Sequence, residues 1–373
     1  MNSRITQMLC EMVRIDSESG DERIFHNYLK TTFTNLGLKC IEDGSLKKTG
    51  LGANNLVFIL EGDKTQEPLF FSSHSDTVKP GKGIEPVIVD GVVYSKGETI
   101  LGADDKAGIA IMLEIIERLK EVATLHPTLE FVITPGEEIG LIGAQALDMS
   151  SIRSRFGIVL DSAGPVGAMT LASPTLSTYT LEIEGKAAHA GLEPEQGISA
   201  LEVLAKIMAN LPHGRINSET TSNFGTVEGG VASNVVADAA VLTGEIRSIN
   251  FDQFEGIRQI YRNTIDTTSK IYGTTVRFEE EIKCYGYRFD QNDADVERVT
   301  RAMMKAGITP RYEVSGGGSD ANVFNQKGKK AINISIGYEE IHTVNEYIPI
   351  AAMEEAVDVC LALIESPSEV KHV

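Results

Sequence analysis

The strongest constraint on the fold of this chain is a rhythm of short apolar runs, each of strand length and bounded by turn residues. Leu56 to Leu60, Leu69 to Phe71, Leu129 to Ile133 and Gly157 to Leu160 are rich in β-branched and aromatic residues, which suit a pleated, buried surface. Between the second and third runs lies KAGIAIMLEIIERLKE, where Ile109, Met112, Leu113, Ile116 and Leu119 recur at helical spacing. Strand, helix, strand is a βαβ unit and predicts an α/β sheet. Two amphipathic helices precede it, with Ile5, Leu9, Met12 and Val13 on one face of the first and Ile24, Tyr28, Leu29 and Phe33 on that of the second. Gly37 closes the pair.

The pattern changes near Thr175. STYTLEIEG reads as a strand, ISALEVLAKIMANL as a helix, SNFGTVEGG and NVVADAAVLTGEIRS as two strands, FDQFEGIRQIYRNTIDTTSKIYG as a long helix and TTVRFEEEIKCYGYRF as a closing strand. The order βαββαβ is the ferredoxin-like arrangement, a unit with its own core. Beyond Tyr287 the α/β style resumes with ADVERVTRAMMKAG, AINISIG and IPIAAMEEAVDVCLALIE. A chain of 373 residues exceeds the usual single-domain size. The expected organisation is therefore a discontinuous domain, 1–174 and 288–373, with a second domain, 175–287, inserted into it.

Composition removes several function classes. No apolar run approaches the roughly 18 residues that span a bilayer, and the N-terminal segment alternates polar and apolar residues instead of carrying a signal-peptide core. The formal charge of −19 repels phosphate backbones and anionic lipid, which argues against nucleic acid and membrane as partners. Cys10, Cys40, Cys284 and Cys360 form no C-x-x-C pair, so reduced thiols and a cytoplasmic location are expected. GxxxxGK[ST], GxSxG and HExxH motifs are absent.

What remains is a set of histidines and acids at predicted strand ends. His74 and Asp76 follow LFFSS; Asp104 and Asp105 precede the predicted helix; Glu137 and Glu138 end the strand before IGLIGA; Asp161 closes FGIVL; His342 lies just ahead of the last helix. Each alone is more often a cap or a surface residue. Together they supply hard and borderline ligands suited to zinc or a similar divalent ion, at the strand ends where α/β sheets place ligands. Neighbouring side chains in extended backbone point to opposite sides, so Glu137 and Glu138 suggest one acid on a metal and one free as a base.

HSD, GADDKAG, PGEEIG, the Asp of LDSAG and IHTVNEY, in this order, resemble the M20 family of co-catalytic zinc peptidases, and GADDKAG with TPGEEIG is nearest its peptidase T branch, the aminotripeptidases. The resemblance implies a zinc-peptidase domain with a central mixed sheet flanked by helices, and identifies the inserted βαββαβ unit with the family's lid and dimerisation domain. It further implies that Asp104 bridges two zinc ions, with His74 and Asp161 on one and Glu138 and His342 on the other. Co²⁺ or Mn²⁺ would be substitutes. A cis peptide follows the bridging Asp in such enzymes; Asp76 orients His74, and Glu137 is the general base. Such ions activate water and polarise a peptide carbonyl, so no protein nucleophile is needed.

On the inserted unit, the resemblance points to His189 as an oxyanion contact, in cis or from a partner subunit of a homodimer joined through this unit. Asn234 and Arg247 would grip a substrate carboxylate, although Arg247 could equally serve as a strand residue in a salt bridge. The run SGGGSDANVF offers Gly317 and Gly318 as backbone donors to substrate, or a plain capped helix after a turn. The expected activity is removal of the N-terminal residue from short peptides, tripeptides in particular. Two alternatives stand beside it: an amidohydrolase of N-acyl amino acids or dipeptides on the same fold, and a metal-binding scaffold without catalysis.

Overall fold

The structure, a computed structural model, describes residues 3–366 and divides into two compact units. One comprises the chain up to Leu171 together with Phe289–Val314 and the chain from Ser319; the other comprises Ala172–Arg288 and Ser315–Gly318.

The first unit is α/β with a central mixed sheet. Its strands run in the order Lys39–Glu42, Leu56–Leu60, Leu129–Thr134, Leu69–His74, Phe156–Ser162, Lys330–Ser335 and Ala168–Ser173, and the short strands Tyr287–Arg288 and Arg311–Val314 pair with the last of these. The four in the middle, 129–134, 69–74, 156–162 and 330–335, are parallel, and those on either side of them antiparallel. Strands buried on both faces read as continuous apolar runs, which is why LVFIL, LFF and LEFVI were legible in the sequence. The helix Ala103–Val122 is buried almost all round, from Ala103 to Ile116 and again at Leu119. Its stripe is therefore wider than the five predicted positions.

Two expectations shift. On the helix Arg23–Asn35 the buried residues are Phe25, His26, Leu29 and Phe33, while Ile24 is 62% exposed. The aromatic rings decide the phase: Phe33 stacks on Phe58 at 4.2 Å, and Phe25 lies under the Lys106 ammonium, turning Ile24 outward. Several strands also escaped the sequence reading. Among them are Pro86–Val89, Val92–Ser95 and Tyr347–Pro349, which form a small three-stranded sheet whose members are three or four residues long.

The second unit is a five-stranded antiparallel sheet in the order Gly214–Asn217, Thr220–Gly229, Ala239–Ser248, Thr175–Glu184 and Thr275–Cys284. Helices Ala200–Asn210 and Phe251–Tyr272 enclose its core, in which Tyr179, Leu181 and Ile183 meet Leu204, Phe254 and Tyr261. In chain order the short strand 214–217 is added to the expected βαββαβ succession. The expected closing strand breaks at Cys284, and Tyr287–Arg288 pairs instead with Ala172 and Ser173.

Two glycines test this packing in opposite directions. A Cβ on Gly157 would fall 2.3–2.5 Å from atoms of the buried Phe70 ring, whereas one on Gly256, exposed in a helix, meets nothing within 4 Å. Gly157→Ala should destabilise by about 1–3 kcal/mol, and Gly256→Ala should stabilise by roughly 0.5–1 kcal/mol. Denaturant unfolding of both variants checks this; an unchanged midpoint for Gly157→Ala contradicts the close contact.

Candidate metal centre

Three adjacent parallel strands deliver the site. Strands 129–134, 69–74 and 156–162 run side by side, so their carboxyl ends lie along one edge of the sheet. His74 is the last residue of the middle strand and Asp161 the penultimate residue of its neighbour. Asp104 and Asp105 sit at the start of the buried helix with non-helical dihedrals, and the peptide between them is cis. The third strand stops at Thr134. Gly136, at φ +67°, turns the chain, so Glu137 and Glu138 lie in a loop and not, as the sequence suggested, at the end of extended backbone. What orients them is Asp76, whose Oδ1 accepts from the Glu137 N–H at 2.9 Å and whose Oδ2 accepts from the Glu138 N–H at 3.2 Å.

The side chains converge. His74 Nε2 is 3.1 Å from Asp104 Oδ1 and 3.7 Å from Asp161 Oδ1. His342 Nε2 is 3.0 Å from Glu138 Oε2 and 3.5 Å from Asp104 Oδ2. Asp104 thus turns one oxygen to each histidine. The structure brings together seven of the residues singled out in the sequence: His74, Asp76, Asp104, Glu137, Glu138, Asp161 and His342.

The electrostatics call for a cation. His74 Nδ1 lies 2.9 Å from the backbone carbonyl of Asp76, which can only accept, so this nitrogen carries the proton. In a neutral ring the Nε2 lone pair would then face two carboxylate oxygens, a repulsive arrangement unless a proton or a metal ion lies between. Burial alone would lower the His74 pKa, but Asp104 and Asp76 overcome it and hold it well above its ordinary value. Hydrogen bonds to Asp104 and Glu138 push His342 up to about 10. Burial, reinforced by neighbouring carboxylates, raises Asp105, Glu137, Glu138 and Asp161. Asp104 is the exception: burial opposes its charge, yet the two histidines draw it below its usual range. This set of imidazole and carboxylate donors fits a divalent ion.

Two groups of three could ligate an ion, His74 with Asp104 and Glu138, and His74 with Asp105 and Asp161. Asp105 is already engaged: its Oδ2 accepts from the His74 N–H and the Ser73 hydroxyl, and its Oδ1 from the Gly108 N–H. Among the described residues the carboxylate of Asp104 contacts imidazole nitrogens and no backbone donor, which leaves it the freer of the two. Other supporting residues were not singled out in the sequence. Tyr338 donates to Asp161 Oδ1 at 2.9 Å, Asn333 brackets the Asp161 backbone, and Ser19 donates to Asp76 Oδ2 at 2.7 Å. Glu346 accepts from three backbone N–H groups around Asp104.

The remaining candidates belong to the second unit. His189 is exposed, bridges to Val235, and its Nδ1 accepts from the Gly191 N–H at 3.2 Å. Asn234 is exposed, and its carbonyl accepts from Ala190. Arg247 forms the salt bridge that the sequence left open, a bidentate pair with Glu245 at 2.8 and 2.9 Å, and also donates to the Gly316 carbonyl. The Gly317 N–H donates to Ser315 Oγ at 3.0 Å, so this donor is already engaged; Gly318 closes the same short segment.

A largely buried cluster of carboxylates and imidazoles, open at His342, beside the carboxyl ends of the parallel strands of a mixed sheet has the character of a divalent-metal site in an α/β protein. Residues 70–366 match the model of peptidase family M20/M25/M40, and the chain belongs to this family. It is 42% identical over 366 residues to YqjE of Bacillus subtilis, covering 98% of this chain and 99% of that one. Among solved structures it is similar to the aminopeptidase PepT from Bacillus cereus, at 43% identity and TM-score 0.93 over 97% of this chain and 98% of that one. A tripeptidase from Staphylococcus aureus follows at 36% identity and TM-score 0.94, over 97% of both chains. No described helix is long and apolar enough to cross a membrane.

If the cluster is a cation site, ions must stabilise the fold. Zinc at a hundredfold its Kd should add about 2.7 kcal/mol per ion, raising the thermal midpoint, with a chelator reversing the shift. Asp104→Asn should abolish most of it. A wild-type midpoint indifferent to zinc and chelator contradicts the assignment.

Proposed function

We propose that this protein is a dinuclear metallo-exopeptidase that removes the N-terminal residue from short peptides, tripeptides in particular. The observation that carries the proposal is Asp104, which presents one carboxylate oxygen toward His74 and the other toward His342. Family membership and the likeness to an aminopeptidase and a tripeptidase support the substrate class. In this reading His74 and Asp161 would hold one ion, Glu138 and His342 would hold a second, and Asp104 would serve both; zinc is the proposed metal.

Two bound divalent ions would supply an acidified water and a polarised substrate carbonyl. Glu137, half-buried beside the ligands and anchored through its backbone to Asp76, is the proposed base. It takes a proton from the attacking water as the C–O bond forms, and returns that proton to the amine as the C–N bond breaks, so it ends as it began. Asp76 keeps the His74 ring in one tautomer through its carbonyl and fixes the loop of Glu137 through its carboxylate.

The second unit is read as the lid, a ferredoxin-like arrangement with one added edge strand, and as the surface through which a homodimer forms. His189 and Asn234 are its proposed substrate contacts, and Gly317 and Gly318, outside 175–287, are proposed to join them. Arg247 joins them if substrate exchanges for the Glu245 pairing. The domains proposed on this reading are 1–174 with 288–373, and 175–287.

Glu137→Ala should leave metal content unchanged and lower kcat by about 10² to 10⁴. Metal analysis and kinetics on unblocked tripeptides, dipeptides and N-acetyl amino acids check this. Full activity in the variant contradicts the base assignment, and preferential hydrolysis of N-acetyl amino acids contradicts the exopeptidase reading.

A further inference from the structure

Glu346 lies four residues after His342, where the chain enters the small three-stranded sheet. It is 2% exposed, and a buried carboxylate must find donors. It finds three, all backbone: Oε2 accepts from Leu101 at 2.8 Å and Gly102 at 2.7 Å, and Oε1 accepts from Asp104 at 2.9 Å. Those N–H groups belong to the turn that delivers Asp104, in which Gly102 adopts φ +71°. One side chain thereby satisfies three backbone N–H groups of the turn, up to the residue that faces both histidines.

We propose that Glu346 is a positioning residue for the metal centre: its carboxylate clamps residues 101–104 so that Asp104 turns Oδ1 to His74 and Oδ2 to His342. The inference rests on the reading of Asp104 and His342 as ligands. Its second support is the segment itself. Thr343 Oγ1 donates to the Glu340 carbonyl at 2.7 Å and accepts from the Asn345 N–H at 3.1 Å, while the Glu346 N–H donates to the Thr343 carbonyl at 3.2 Å. One tightly turned segment therefore carries a ligand, His342, and the clamp of another ligand, Asp104. A shift of either is transmitted to the other.

The plainer role is a helix cap. A carboxylate near the N-terminus of helix 103–122 would stabilise it without regard to metal. The two roles differ in what they predict for the folded molecule: loss of a cap lowers stability and leaves the metal affinity of folded protein unchanged, whereas loss of a clamp weakens metal binding in protein that is still folded.

The test measures zinc binding by competition with a chromophoric chelator, on wild type, Glu346→Ala and Glu346→Gln, with the folded fraction taken from circular dichroism. Glu346→Ala should bind at least one ion about 10- to 100-fold more weakly. Glu346→Gln, which keeps one carbonyl acceptor, should fall between it and wild type. Cobalt-loaded variants should show an altered visible absorption spectrum if Asp104 has moved. If Glu346→Ala does not fold, Glu346→Gln decides. Wild-type zinc affinity in the folded variants overturns the proposal and leaves a cap. A wild type that binds no zinc overturns it together with the metal reading. A wild type that binds zinc but cleaves no peptide overturns the exopeptidase reading alone, and the isotherms still decide the role of Glu346.

Discussion

The structure depends on a concentration of like charge. Asp104, Asp105, Glu137, Glu138 and Asp161 lie at one sheet edge, and among the described residues no Lys or Arg forms an ion pair with any of them. Two ionised carboxylates about 4 Å apart at an effective dielectric near 20 repel by roughly 4 kcal/mol, a large fraction of the typical 5–15 kcal/mol net stability of a domain. Without an added cation the only relief is to protonate the two histidines and suppress ionisation of most of the acids, which is the direction in which their pKa values move. The parallel strands and the buried helix hold the acids in place, so the strain is resolved by binding charge and not by separating the ligands.

Asp76 shows how few residues are needed to hold that geometry. The family resemblance implies that Asp76 orients His74; its carboxylate oxygen lies 3.5 Å from Nδ1 and its backbone carbonyl 2.9 Å. The carboxylate is instead occupied by the N–H groups of Glu137 and Glu138 and the hydroxyl of Ser19. A single residue therefore sets the tautomer of one ligand with its backbone and the placement of another ligand and the proposed base with its side chain. Replacing Asp76 by Asn would preserve the first function and disturb the second, because an amide cannot accept at both ends.

The sequence was most legible where chemistry and burial coincide. The strands that carry His74 and Asp161, and the one that precedes the loop of Glu137 and Glu138, are buried along their length, so they stand out as apolar runs, and the polar residues at or just beyond their ends are conspicuous by contrast. The helix phase at Ile24 was misread because both Ile24 and Phe25 fit an apolar stripe, and only the rings they meet decide between them. Strands such as Val92–Ser95 were missed because three or four residues give no usable period. Glu346 was invisible for a different reason. In IHTVNEY it reads as an ordinary surface acid, and its importance lies wholly in backbone donors some 240 residues earlier in the chain.

Lys106 closes the argument about where the neutralising charge must come from. It directly follows the two aspartates in GADDKAG and is fully buried, the natural candidate for an internal counter-ion. Its ammonium points the other way, donating to the carbonyls of Met12 at 3.3 Å and Ile15 at 2.7 Å and lying 4.6 Å over the Phe25 ring. Burial lowers its pKa to about 7. It ties the first helix and the segment after it to the site helix, a packing role, and leaves the acid cluster uncompensated. With the one adjacent lysine committed elsewhere, the two imidazoles are the cationic groups that face the carboxylates among the described residues, and the cluster is left as a candidate site for added cations.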